Sequence, residues 1–223
     1  MTTAPRIPEA PAHARPARAT ALAGLCLTLA GAGILMGSIT AEALFDGAYS
    51  THADTLSHLG ASEPPDSVVT QPSATIFDVT MLVTGALILT GAWLMLRASG
   101  PKAAGVCTAL LGTGVLGVGF FPLTRPGPHT VFALTAFVAG GLAVILSARG
   151  TGQPFRALWT TLGTISLVAI ALGIFFLDWA PVARLGEGGI ERWNAYPIVL
   201  WLVAYGSYLI ATARGRESIN IDE

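Results

Sequence analysis

Charge is scarce in this chain. Of 223 residues, 12 are Lys or Arg and 13 are Asp or Glu, 11% in all, less than half the roughly 25% of an ordinary soluble domain. The net charge of −1 leaves no basic excess to neutralise phosphates, which excludes a nucleic-acid partner. Cysteine is nearly missing too. Cys26 and Cys107 both fall inside apolar runs, and two such residues make no disulfide framework. Compact ligand spacings such as HxxxH are missing, so no metal and no cofactor are expected. What fills the chain is apolar: 52% of residues are hydrophobic and the mean hydropathy is +0.64. A soluble fold of this size cannot hide so much apolar surface, and the bilayer is the natural solvent.

The few charges punctuate the sequence. Arg18 to Glu42 encloses 23 uncharged residues, Asp78 to Arg97 encloses 18, and Lys102 to Arg125 encloses 22. Arg125 to Arg149 encloses 23, Arg156 to Asp178 encloses 21, and Arg192 to Arg214 bounds the last run. A spanning helix needs ~20 apolar residues. The runs predict six helices, over 20–41, 76–96, 103–121, 129–148, 157–177 and 194–212. The dyad alternation of barrel strands is missing. Pro122 stops the third helix, Pro126 and Pro128 open the fourth, and Gly100-Pro101 turns between the second and third. The expected fold is therefore all-α, a polytopic transmembrane bundle over 19–212. Residues 1–18 read as a disordered N-tail and 213–223 as a C-tail, with its end from Ser218 disordered as well.

Lys and Arg set the expected orientation. Arg6, Arg15, Arg18, Arg97, Lys102, Arg149, Arg156, Arg214 and Arg216 share one side, against Arg125, Arg184 and Arg192 on the other. Nine against three predicts cytoplasmic termini in a cell-membrane protein. A cleaved signal ending near Ala41-Glu42-Ala43 is the rival reading of the first run. Its length, beyond the usual ~7–15 residue apolar region, favours a retained anchor.

The outer side carries nearly all the reactive side chains. Its longest connection, 42–75, exceeds the ~12–15 residues beyond which loops are usually functional or disordered. Thr51 to Leu59 reads as a short helix or re-entrant piece, and Glu63-Pro64-Pro65-Asp66 as extended. Asp54, Ser57 and His58 stand at i, i+3 and i+4, one face of any helix there. A hydroxyl with an imidazole and a carboxylate is the inventory of nucleophilic catalysis, or simply of a solvated turn. Asp78 lies at the mouth of helix two, where a carboxylate is costly and seeks a partner, unless it merely complements the helix dipole. Arg125 and His129 bracket a Pro-rich hairpin, placed to hold a lipid phosphate or move a proton. Glu191 and Asn194 open helix six, with Arg192 free to snorkel to headgroups. Below them Trp201 and Tyr205 continue a line that reads either as packing or as the wall of a lipid or isoprenoid pocket. Asp78, His129 and Glu191 are expected to converge on one cavity, with Arg125 offsetting the carboxylates. Gly33-x-x-x-Gly37 and the Gly112, Gly114, Gly117, Gly119 series are packing features.

At these clusters the chain resembles the bacterial and archaeal membrane proteins of domain of unknown function 998. Ser57-His58-Leu59-Gly60-Ala61, Phe77 to Gly91, Gly119-Phe120-Phe121-Pro122 with His129, and Ile190-Glu191-Arg192 running to Trp201 carry the likeness, in order, across about 22–212. The resemblance implies a six-helix membrane domain and no settled activity. It also implies an acidic residue where His58 stands, a position at which this chain departs. The expected function is a polar site at the extracytoplasmic face that acts on or binds a lipid-like or isoprenoid-like molecule. Asp78, His129, Glu191, Asp54, Ser57 and His58 are the candidate catalytic groups; Arg125, Asn194, Trp201 and Tyr205 are candidate binding groups. Acid–base work would be terpenoid cyclisation or lipid hydrolysis. The alternative is a non-enzymatic scaffold or lipid binder, with membrane lipids and a hydrophobic small molecule as partners.

Overall fold

The structure is a computed structural model and describes residues 14–98 and 100–219. All regular structure among them is helical: α1 (Ala14–Ala43), α2 (Ser73–Arg97), α3 (Lys102–Phe120), α4 (Pro126–Ser147), α5 (Phe155–Phe175), the short α6 (Ala180–Ala183) and α7 (Gly186–Ile219). Six of these are long and apolar enough to cross a membrane. The expected six-helix bundle is present, with its two ends distinguished by the long α1–α2 connection at one and the start of α1 and end of α7 at the other.

Three boundaries differ from the sequence reading. Helix α1 begins at Ala14 and α7 runs to Ile219, so 14–18 and 213–219 are helical; residues 1–13 and 220–223 lie outside the described residues. The last long helix also starts at Gly186, eight residues before the predicted 194. Glu191 and Arg192 therefore stand inside α7. Pro197 does as well, and its missing N–H leaves the Trp193 carbonyl without its usual helical donor.

Hydroxyls within these helices fold back onto their own turn. Thr84, Thr108 and Thr135 each donate to the carbonyl four residues earlier, which satisfies a polar group where no water is at hand. Close helix approach rests on glycine. Gly24 of α1 meets Gly206 of α7 so closely that a Cβ on either would run into the other's carbonyl. Gly33 and Gly37 abut Thr84 and Thr80 of α2, while Gly112 and Gly119 abut α2 and Gly114 and Gly117 abut α4, the packing role expected of both series. Helices α1, α2, α3, α4 and α7 enclose a central cavity to which α5 contributes no residue. Helix α5 packs outside this ring against α4 and α7, which also touch each other.

Candidate functional site at the loop end

The α1–α2 connection folds back over the end of the bundle. Arg192 holds it there. Its guanidinium donates to the carbonyls of Thr51 (3.1 Å), Asp54 (3.0 Å) and Gly188 (2.9 Å) and to the Tyr49 hydroxyl (2.6 Å). That hydroxyl donates in turn to the Thr55 carbonyl at 3.0 Å. Glu42 stands 3.8 Å from Arg192. Burial pushes the Tyr49 phenol up to about 12, with the adjacent Arg192 charge pulling it the other way. The Gly188 N–H donates to the His52 carbonyl at 3.1 Å. A Cβ on Gly186 would strike that same carbonyl, and one on Gly188 would strike the Asp54 carbonyl. Gly186 also has φ +69°. Backbone can lie flat on the start of α7 only because these two residues are glycine.

Beyond this anchor the chain makes one 3₁₀ turn, Leu56–Leu59, and that turn collects the polar groups of three helices. The Leu56 N–H donates to the Glu191 carboxylate of α7. Ser57 Oγ lies 3.0 Å from His129 Nε2 of α4. The Leu59 carbonyl accepts from Ser73 Oγ of α2 at 2.9 Å. A Cβ on Gly60 would sit 3.0 Å from both Asp78 Oδ1 and the Phe77 ring, so Asp78 packs against the end of the turn. Its Oδ1 is buried with no hydrogen-bond partner among the described residues. His129 Nδ1 lies 2.7 Å from the Phe121 carbonyl. A carbonyl only accepts, so in the neutral ring Nδ1 carries the proton, Nε2 is bare, and the Ser57 hydroxyl donates to it.

Beneath the turn lies a cavity of about 80 Å³. Its wall is apolar, including Met81, Val115, Ala136 and Ile198, except for Ser57, Glu191 and Ser38. Ser38 is 3% exposed, and its buried hydroxyl has no partner among the described residues.

A family model described as Protein of unknown function (DUF998) matches residues 29–208. The chain belongs to this family. The matched range runs from within α1 to within α7 and takes in all six membrane-length helices, the docked loop and the 3₁₀ turn. No curated protein and no solved structure matches the chain.

In this family member the candidate residues sort by place. Asp78, His129 and Glu191 each meet the 56–60 turn, but of the three only Glu191 lines the cavity, so they gather at the turn rather than on one cavity. Asp54, Ser57 and His58 do not share a helical face. Asp54 precedes the 3₁₀ turn and accepts from the Ser50 N–H at 2.7 Å, Ser57 points inward, and His58 Nδ1 accepts from the Thr55 N–H at 3.0 Å. Arg125 is not the balancing cation. It is exposed at the start of α4, and Arg192 takes that place, turned onto loop carbonyls rather than toward headgroups. Asn194 is fully buried, donates from Nδ2 to the Ser166 carbonyl of α5 at 2.9 Å, and leaves its Oδ1 unpartnered among the described residues. Trp201 lies ten residues beyond Glu191, ~15 Å along the helix. It donates to Ser147 Oγ at 2.9 Å and stacks on Tyr205 at 5.2 Å. Tyr205 lines a separate cavity toward the terminal end, with Thr20, Ala98 and Tyr208. The aromatic line is thus not the wall of the polar site. Sequence reasoning missed Tyr49, Ser38 and the anchoring role of Arg192. A serine inside an otherwise apolar run was the only available signal for Ser38.

Proposed function

We propose that this multi-pass membrane protein binds a lipid-like or isoprenoid-like molecule at its extracytoplasmic face, with the polar end of that molecule under the 56–60 turn. The supporting observation is the cavity: apolar walls, the Glu191 carboxylate in its lining and a buried Ser38 hydroxyl that lacks a partner among the described residues. An unpaired buried hydroxyl is costly, and a ligand carrying a hydroxyl or amine would satisfy it together with Glu191. The placement outside rests on the nine-to-three Lys/Arg imbalance, and the cell membrane is the corresponding location. Size favours binding over cyclisation. The cavity of about 80 Å³ holds the end of a chain, whereas sites that enclose a whole small molecule are ~300–1,000 Å³.

The test is mass spectrometry of apolar molecules that copurify with the full chain. Ala195 lines the cavity, and Ala195→Leu adds three carbons to it. Wild-type protein should carry an alcohol- or amine-ended apolar molecule that the filled variant lacks. The same content in both preparations would remove the reading.

A second reading follows from Ser57. Its hydroxyl donates to an imidazole whose other nitrogen is held by a carbonyl, which is the arrangement of an activated nucleophile. In that reading Ser57 and His129 perform acyl transfer on a lipid ester. A fluorophosphonate probe should then label Ser57 in wild-type protein and fail with Ser57→Ala and His129→Gln. A folded wild-type protein that resists the probe reduces the pair to a pin for the loop.

A further inference from the structure

Outside the ring, a groove of about 560 Å³ runs between α5 and α7. At the loop end its rim is formed by His52, Arg184 and Arg192. Deeper in, its walls are Leu162, Ile165 and Leu200. Along α7 its lining runs from Gly189 to Leu200, a rise of ~16 Å along the helix axis. One leaflet holds ~15 Å of hydrocarbon, so this lining is as deep as the acyl layer of one leaflet, with Arg184 on the rim beyond it. Trp193, 54% exposed, lines it near the depth where interfacial aromatics sit. The two arginines differ in what they face. Arg192 is committed to loop carbonyls, with Glu42 and Glu191 near its charge. Arg184 is exposed, and no hydrogen bond or ion pair holds its side chain among the described residues.

We propose that this groove holds one anionic phospholipid of the leaflet on the loop side, its phosphate on Arg184 and one acyl chain along Leu162, Ile165 and Leu200. The argument is charge and length together. A cation without a partner among the described residues stands at headgroup depth, above an apolar channel as deep as one acyl layer, on the face of the bundle that α5 leaves open beside α7. This site is separate from the cavity under the turn, and its test does not depend on that reading.

The experiment uses the purified full chain in mild detergent, with phosphatidylglycerol or diacylglycerol of identical acyl chains added and bound lipid counted by native mass spectrometry. Wild-type protein should bind one phosphatidylglycerol about tenfold more tightly than diacylglycerol, the yield of one well-placed charge contact. Arg184→Glu should erase that preference, and its exposed position leaves the fold intact. Leu200→Trp, at a side chain 54% exposed, should fill the groove and weaken both lipids. Ala195→Leu should leave phosphatidylglycerol binding unchanged, which separates this site from the inner cavity. Equal binding of the two lipids to wild type, or a preference that survives Arg184→Glu, would overturn the proposal. So would a lipid-free dimer that Leu200→Trp dissolves, since the occupant would then be a second copy of the chain.

Discussion

Removal of the Ser57 hydroxyl leaves His129 Nε2 buried without a donor, because the other ring nitrogen is already committed to the Phe121 carbonyl. Such an orphan costs about 1–3 kcal/mol, so Ser57→Ala should lower the denaturation midpoint in detergent accordingly, whether or not the pair has chemistry. Tyr49 gives a pH dependence of definite sign. Its folded pKa of about 12 lies above the ~10 of a free phenol. The folded chain therefore holds its proton longer than the unfolded chain, and stability is complete below pH ~10 and declines as pH rises toward ~12. Phenolate absorbance during an alkaline titration should appear late in wild type, and Tyr49→Phe should flatten the stability loss over that window. A wild-type phenol that titrates near 10 while the loop remains docked would contradict this. Neither residue's environment was legible beforehand. The partners of Ser57 and Tyr49 lie 72 and 143 residues away, and nothing in local spacing reports such pairings.

The helices were legible because each is a long apolar run closed by charge or proline, and those features act locally. Helix α7 shows where that stops. Residues 191, 195, 198 and 202 recur at helical spacing and face the cavity. Asn194 and Trp201 sit to one side of that stripe and face α5 and α4. In one dimension the two sets interleave, so Glu191 and Asn194 were read as one line with Trp201 and Tyr205. The loop was harder still. Glu191 meets a backbone N–H and Arg192 meets backbone carbonyls, and main-chain groups carry no sequence signature. The eight-residue error at the start of α7 arose because its first turns hold three glycines and three charges, which reads as a linker. Arg192→Ala should undock this loop. Amide hydrogen exchange over 49–56 should quicken at least about tenfold, with α2 and α3 unaffected. A protected loop in that variant would show that the glycine contacts at 186 and 188 suffice.

At the level of the whole molecule, closure of the ring depends on α1 meeting α7 at Gly24 and Gly206. Gly206→Leu forces those backbones apart, and overpacking of this kind costs about 3 kcal/mol or more at a backbone contact. The variant should lose its monodisperse profile in size-exclusion chromatography, whereas Gly152→Leu, where an added Cβ meets nothing within 4 Å among the described residues, should keep it. Orientation has its own test. Ser67 is exposed in the loop, so a single cysteine there, with Cys26 and Cys107 replaced, should react with an impermeant maleimide on intact cells. Reaction only after permeabilisation would invert the topology drawn from the Lys/Arg count.

The way Arg192 grips the loop also bears on how the sequence can drift. Its acceptors at Thr51 and Asp54 are carbonyl oxygens, which every amino acid carries. Side chains at 51–53 are exposed and take no part in the grip. Selection on docking therefore falls on the arginine, on Tyr49 and on the two glycines beneath, not on the side chains at 51–53. A library randomised at 51–53 should be tolerated almost everywhere, while single replacements at 186, 188 or 192 should not. The loop can thereby change its outward-facing chemistry from one relative to the next without losing its seat on the bundle.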